Sequence, residues 1–260
     1  GLGAQHRLRA WLVLVARSQV HGPPGTRRDV GALRRLAHQG ASRAAAARER
    51  IAQAGGDVEL VRIVAVTKGF GPEHVAAAFA AGLRDFGENY ADELVKKWTT
   101  VGRDATWHFL GAVQRNKVGR LAPYVDYWQA LTRAVEGQAI LRHRAEVDLE
   151  GLEPPAMFVE VETTGQSGRG GCLPEQVPLV VSALRELGCR VEGLMTVAPQ
   201  GDPGRARTAF ERVARLRGEL GLKELSMGMS EDLEQAVAAG ATMVRLGTAL
   251  FGPRPQRRRL

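Results

Sequence analysis

RIVAVTKGFGPEHVAAAF (Arg62–Phe79) runs from a short apolar segment into a lysine, then a glycine-rich turn, then an alanine-rich helical stretch. The apolar segment shows no strict polar–apolar alternation, as expected of a strand buried on both faces of a parallel sheet. Lys68 falls where that strand stops. The same order of elements recurs along the chain: after VRIVAVT come LRDFGEN, TWHFLG, VDYWQAL, AMFVEVET, RVEGLMT, KELSMG and MVRLGTALFG, eight candidate strands separated by loops and helix-like stretches. Helical spacing places Val177, Val180, Val181, Leu184 and Leu187 on one face, and Phe210, Val213, Leu216 and Leu220 on another. Gly82, Gly188, Gly221 and Gly240 stand where helices should stop. Eight strand-then-helix units in about two hundred residues predict an α/β fold, a single-domain (β/α)8 TIM barrel, in preference to a doubly wound open sheet.

Composition bounds what such a chain does. At 260 residues and 44% hydrophobic content it can bury a substantial core. Residues 1–38 read as a basic N-terminal extension, disordered or partly helical, followed by the barrel over residues 39–254 and a basic tail over residues 255–260. AWLVLVA (Ala10–Ala16) is too short to span a membrane, and no small-residue cleavage site follows it. Cys172 and Cys189 make neither metal-ligand spacing nor a disulfide framework, so no metal is expected and a reducing cytoplasm suits the chain. The net charge of +8 rests on arginine, much of it near the ends, while aromatics supply only 5% of residues. Few stacking platforms and no nucleic-acid-binding motif leave the charge as mostly solvated surface, with no nucleic acid as partner.

In a barrel of this kind chemistry belongs at the carboxyl ends of the strands. Lys68 ends the first strand, Glu88 and Asn89 follow the second, and His108 closes the third. Ser230 follows the seventh as a candidate N-cap of SEDLEQAVAAG, with Glu231 and Asp232 in the first turn, and Gly247 and Thr248 follow the eighth. The loops after strands seven and eight often form a phosphate site from backbone N–H groups. Glycine at 247 lets the backbone approach, and the Thr248 hydroxyl can donate. A strand-end lysine facing a phosphate site suggests pyridoxal 5′-phosphate, because partial burial lowers the amine's pKa and frees it to form a Schiff base with the aldehyde.

Further motifs turn that suggestion into a family resemblance. IVAVTK, DFGENYADEL, WHFLGAVQRNK, VETTGQSGRGG, GLMTVAP and LSMGMSEDLEQAVAAGATMVRLGTALFG, in order from about Ile51 to Gly252, together resemble the pyridoxal phosphate homeostasis proteins, a family similar to the N-terminal barrel of alanine racemase. The resemblance implies a cofactor carried as an aldimine on Lys68, with Asn89 nearby, the phosphate held by Ser230, Gly247 and Thr248, and Arg245 near the pyridine nitrogen. A guanidinium cannot accept a proton, so Arg245 would keep that nitrogen unprotonated and weaken the ring as an electron sink. The chain departs from the family pattern at Ala112, Val113, Ala130, Thr132 and Glu162, which bears on the lining of the mouth. Arg169 stands at a family lysine position and cannot form a Schiff base.

The resemblance implies a cytoplasmic, monomeric, non-catalytic protein that takes part in intracellular cofactor homeostasis and hands pyridoxal phosphate to apoenzymes. The alternative is an amino-acid racemase, which needs proton donors and acceptors on both faces of the substrate α-carbon. In two-domain racemases a tyrosine from a second domain supplies one of them. Here only about ten residues follow the last predicted strand, and Tyr90, Tyr124 and Tyr127 are not positioned to replace it.

Overall fold

The computed structural model describes residues 27–147, 153–166 and 168–254, with side chains from residue 31 onward. AWLVLVA and the basic tail lie outside the described residues. Eight parallel strands close into a barrel in sequence order. They are β1 (Arg62–Val66), β2 (Asp85–Glu88), β3 (Thr106–Phe109), β4 (Tyr127–Leu131), β5 (Ala156–Val161), β6 (Val191–Thr196), β7 (Glu224–Ser226) and β8 (Met243–Leu246). The seam is sealed by β1 against β8, with Arg62 opposite Met243 and Ala65 opposite Leu246. Each of the eight apolar runs of the sequence contains one of these strands.

A first helix, α1 (Arg27–Gln53), precedes the barrel and crosses the boundary expected at residue 38. The helices that follow the strands are α2 (Pro72–Ala80), α3 (Ala91–Val101), α4 (Arg115–Leu121), α5 (Ala134–Ala145), α6 (Val177–Glu186), α7 (Pro203–Glu219), α8 (Leu233–Ala238) and α9 (Thr248–Phe251). The last has only four residues, and α1 packs against α2, α8 and α9 to cover the side of the barrel that α9 leaves open. Gly82, Gly188, Gly221 and Gly240 each take positive φ one residue beyond a helix C-cap, where a β-carbon would be strained.

Two apolar zones follow from the alternation along each strand. Outward-facing residues such as Phe86, Trp107 and Trp128 pack under the helices with Ile51 and Phe210, all essentially inaccessible. Inward-facing Val64, Ala130, Ala156, Phe158, Met195 and Met243 fill the barrel itself. Burying each large side chain stabilises the fold by about 1.5–3 kcal/mol. On α6, Val177, Val181 and Leu184 are buried as the spacing predicts. Leu187 instead remains 40% exposed, because the helix ends at Glu186 and Leu187 is its C-cap.

Candidate functional site

The inward positions at the carboxyl ends of the strands open onto a cavity of about 580 Å³. Lys68, Asn89, Ser230, Arg245, Gly247 and Thr248 all line it, joined by Glu160 from β5, Met195 from β6, Asp232, Arg169 and Arg254. Residues from strands far apart in sequence thus meet at the mouth of the barrel.

Lys68 is half-buried just past β1. Desolvation, and then the guanidinium groups of Arg254 and Arg245, lower its pKa below the ordinary lysine value, while Glu88 acts in the opposite direction. Glu88 itself does not face the cavity, contrary to its sequence assignment as a mouth residue. It follows inward-facing Gly87, so its carboxylate points outward beneath α3, where Oε1 accepts from Lys97 Nζ at 2.5 Å and from Thr67 Oγ1 at 2.5 Å. Lys97 Nζ also donates to Thr67 O at 2.7 Å and Glu93 Oε2 at 2.8 Å, and Glu93 Oε2 accepts from Gly69 N at 3.0 Å. The residues on both sides of Lys68 are therefore pinned, while among the described residues its own amine has no ion-pair partner. Burial raises the Glu88 carboxyl's pKa, with Lys97 and Thr67 opposing.

Arg245 projects inward from β8 and is buried. Its Nη1 donates to Ser226 O at 2.6 Å and Ser226 Oγ at 2.9 Å, and its Nη2 donates to Thr196 O at 2.7 Å. The bonds are to carbonyls and a hydroxyl rather than to an outer carboxylate. Burial pushes the guanidinium down to about 10, with Glu160 and Asp232 opposing, so it stays charged at neutral pH. Burial in turn pushes the Glu160 carboxyl up.

The loops after β7 and β8 are tied together by Ser230, whose Oγ accepts from Ala249 N at 3.0 Å. That leaves the hydroxyl hydrogen available to an anion. Ser230 is not the helix cap expected from the sequence. Helix α8 starts at Leu233 with Asp232 as N-cap, and the Asp232 carboxylate turns back to accept from Met229 N at 2.6 Å. Gly247 caps α9, the first amides of which have no partner within the helix. A β-carbon on Gly247 would meet only Val66, at 3.4 and 3.8 Å, so its missing side chain leaves room at the mouth rather than serving the fold. No local signal in the chain singles out Arg43 and Arg50 of α1. Arg50 Nη2 donates to Ser230 O at 3.0 Å and its Nε pairs with Glu234 at 2.6 Å, while Arg43 Nη1 donates to Leu250 O at 3.3 Å. Helix α1 thereby braces both loops.

Other sequence candidates lie elsewhere. His108 is fully buried inside the barrel, bonded to Asp85 and Gln129 rather than exposed at the mouth. Arg169 is exposed at the cavity rim, its Nε donating to Gln166 Oε1 at 3.3 Å. Ala112, Val113, Ala130, Thr132 and Glu162 do not line the cavity. Val113 and Ala130 are core residues, Thr132 binds Glu136, and Glu162 accepts from Thr164 and Gly165 in its own loop. Among the described residues no cluster of three or more His, Cys, Asp or Glu side chains is arranged to hold a metal ion. No described helix is long and apolar enough to cross a membrane.

The cavity suits an anionic aldehyde. It has a half-buried amine with a lowered pKa, a buried guanidinium, and the buried Asn89 side-chain oxygen, which has no partner among the described residues. Residues 42–255 match the family described as alanine racemase, N-terminal domain. A pyridoxal phosphate homeostasis protein from Pseudomonas aeruginosa is 38% identical over 216 residues, covering 81% of this chain and 92% of that one. One from Deinococcus radiodurans is 40% identical over 205 residues, covering 78% and 95%. PipY of Synechococcus elongatus, solved with PLP bound, superposes with a TM-score of 0.68 at 30% identity, over 79% of this chain and all of that one. Alanine racemase from Clostridium difficile shares the fold at 16% identity and a TM-score of 0.61, over 80% of this chain and 56% of that one.

Proposed function

Because the chain belongs to the alanine racemase N-terminal domain family, and within it to the pyridoxal phosphate homeostasis proteins, we propose that it holds pyridoxal 5′-phosphate at the barrel mouth through Lys68 and supplies it to apoenzymes. The observation that carries this reading is the meeting of a half-buried lysine, without an ion-pair partner among the described residues, with the Ser230–Gly247–Thr248 loops and Arg245 in one cavity. When bound, the cofactor supplies an aldehyde open to attack by an amine and a pyridine ring that withdraws electrons. Lys68 contributes that amine, since its lowered pKa raises the neutral, nucleophilic fraction. Ser230 and Thr248 offer hydroxyl donors to the phosphate, and Gly247 lets the backbone come close. Arg245, charged and donor-only, would hold the ring nitrogen and, being unable to accept a proton, would leave it unprotonated. Such a site favours retention and release over turnover. The proposed protein is a cytoplasmic, monomeric, non-catalytic carrier, and the racemase alternative loses ground because relatives named for homeostasis match over 92% and 95% of their own lengths.

The carrier function is tested by mixing the loaded protein with an apo-aminotransferase. Transaminase activity should return as the visible absorbance of the donor falls, and retention of the cofactor with no recovery of activity would overturn the proposal.

Phosphate anchoring has its own signature. Ser230→Ala removes a hydrogen bond to a charged acceptor worth about 1.5–3 kcal/mol, roughly a ten- to hundredfold weakening of pyridoxal phosphate binding. Gly247→Val should fold, given the free space at Cβ, and should block the close approach of backbone to anion. Unphosphorylated pyridoxal should bind both variants about as well as it binds the wild-type protein. Equal losses for the two ligands, measured by titration, would place the phosphate elsewhere.

A further inference from the structure

A line of hydrogen bonds crosses the barrel interior from its amino-terminal end to the mouth, built from inward-facing residues of five strands. Arg245 Nη1 donates to Ser226 Oγ at 2.9 Å, and Ser226 Oγ donates to Gln129 Oε1 at 2.5 Å. Gln129 Nε2 lies 2.7 Å from His108 Nδ1, and His108 Nε2 lies 2.9 Å from Asp85 Oδ1. Ser226, Gln129 and His108 are completely buried. Beneath them, Arg62 donates to Tyr127 and Glu224 at 2.9 Å each and lies 3.9 Å from Asp85, and Tyr127 stacks on His108 with centroids 4.5 Å apart.

The chemistry of the two ends gives this line one direction. A guanidinium only donates, so Ser226 Oγ must accept from Arg245 and spend its single hydrogen on Gln129 Oε1. The Gln129 amide nitrogen, also donor-only, then faces His108, which requires a bare Nδ1. The His108 proton is left on Nε2, where the acceptor-only carboxylate of Asp85 receives it. A flipped Gln129 would leave the Ser226 hydrogen without its acceptor and set a bare imidazole nitrogen against a carboxylate. Buried groups do not tolerate such mismatches cheaply.

We propose that Gln129, backed by His108 and Asp85, is a positioning residue that fixes the orientation of the Arg245 guanidinium through Ser226. The inference rests on the reading that Arg245 faces the cofactor's ring nitrogen, and it extends that function to residues that do not line the cavity.

Nitrogen NMR of the histidine-labelled, ligand-free protein tests the line directly, with His108 assigned by its loss in His108→Gln. His108 should show an unprotonated Nδ1 and a protonated Nε2; the opposite tautomer overturns the proposal. Gln129→Glu replaces the donor facing His108 with an acceptor, so both imidazole nitrogens should become protonated, and an unchanged tautomer in the folded variant would also defeat it. The effect on Arg245 is read by comparing binding of pyridoxal phosphate with its 1-deaza analogue, which carries carbon in place of the ring nitrogen. The wild-type protein should prefer pyridoxal phosphate by roughly tenfold or more, as expected for a charged hydrogen bond. Arg245→Met should abolish that preference, and Gln129→Leu should reduce it several-fold with little change in binding of the deaza analogue. Persistence of the preference in Arg245→Met would refute the placement of Arg245 at the ring nitrogen, and the inference with it. Its loss in Arg245→Met but full retention in Gln129→Leu would refute the positioning role alone.

Discussion

Lys68→Ala is expected to yield a folded, colourless protein that retains no pyridoxyl group beyond incidental surface labelling after incubation with pyridoxal phosphate and borohydride. In the wild-type protein the same reduction should fix the group on the peptide containing Lys68. The chain has five lysines, and only Lys68 lines the cavity. Lys97 is buried against Glu88 and Glu93, and Lys96, Lys117 and Lys223 are exposed outside the cavity. Labelling in Lys68→Ala should therefore fall to the level of incidental surface reaction. The rate should rise with pH as the amine loses its proton. Because burial and two nearby guanidinium groups depress the pKa, the midpoint should lie below that of a free lysine side chain. Mass spectrometry that finds the wild-type adduct on Lys117 or Lys223, with Lys68 unmodified, would overturn the assignment.

Loaded protein incubated with L- or D-alanine in deuterated water should show no multiple-turnover exchange of the α-proton. Carbanion formation needs a strong electron sink and well-placed acid–base groups, each of the latter worth about a hundredfold to ten-thousandfold in rate. Arg245 is buried, charged and unable to accept a proton, which leaves an opposing ring nitrogen without the positive charge that strengthens the sink. Among the described residues, the cavity walls hold no tyrosine, histidine or cysteine. Two of their acids, Glu160 and Asp232, interact electrostatically with Arg245. Proton NMR of the recovered alanine measures the exchange. Deuterium incorporation in large excess over protein, or racemisation, would promote the enzyme reading over the carrier.

The barrel, and the end of it that carries the candidate site, were legible in the chain. Eight apolar runs, helical spacing between the later ones, and glycines beyond four helix C-caps are local signals, because strand burial, helix faces and positive φ each depend on a few neighbouring residues. The strand ends then brought Lys68, Asn89, Ser230, Arg245, Gly247 and Thr248 to one cavity. The direction of each side chain emerged only on folding. In a parallel barrel both strand faces are buried, so the apolar run loses the alternation that would separate inside from outside. Glu88 and Asn89 are adjacent, yet one pairs with Lys97 under a helix and the other faces the cavity. His108 closes a strand but joins an interior network whose partners lie 21 and 23 residues away, and Ser226 reaches Gln129 across 97 residues. Ser230 looked like a cap because its neighbours favour one, but the backbone turned at Met229 and gave that position to Asp232. Arg50, 180 residues from Ser230, became its brace only when α1 covered the seam. Such pairings depend on barrel closure and strand register, which are set by contacts between distant segments and leave no local pattern in the chain.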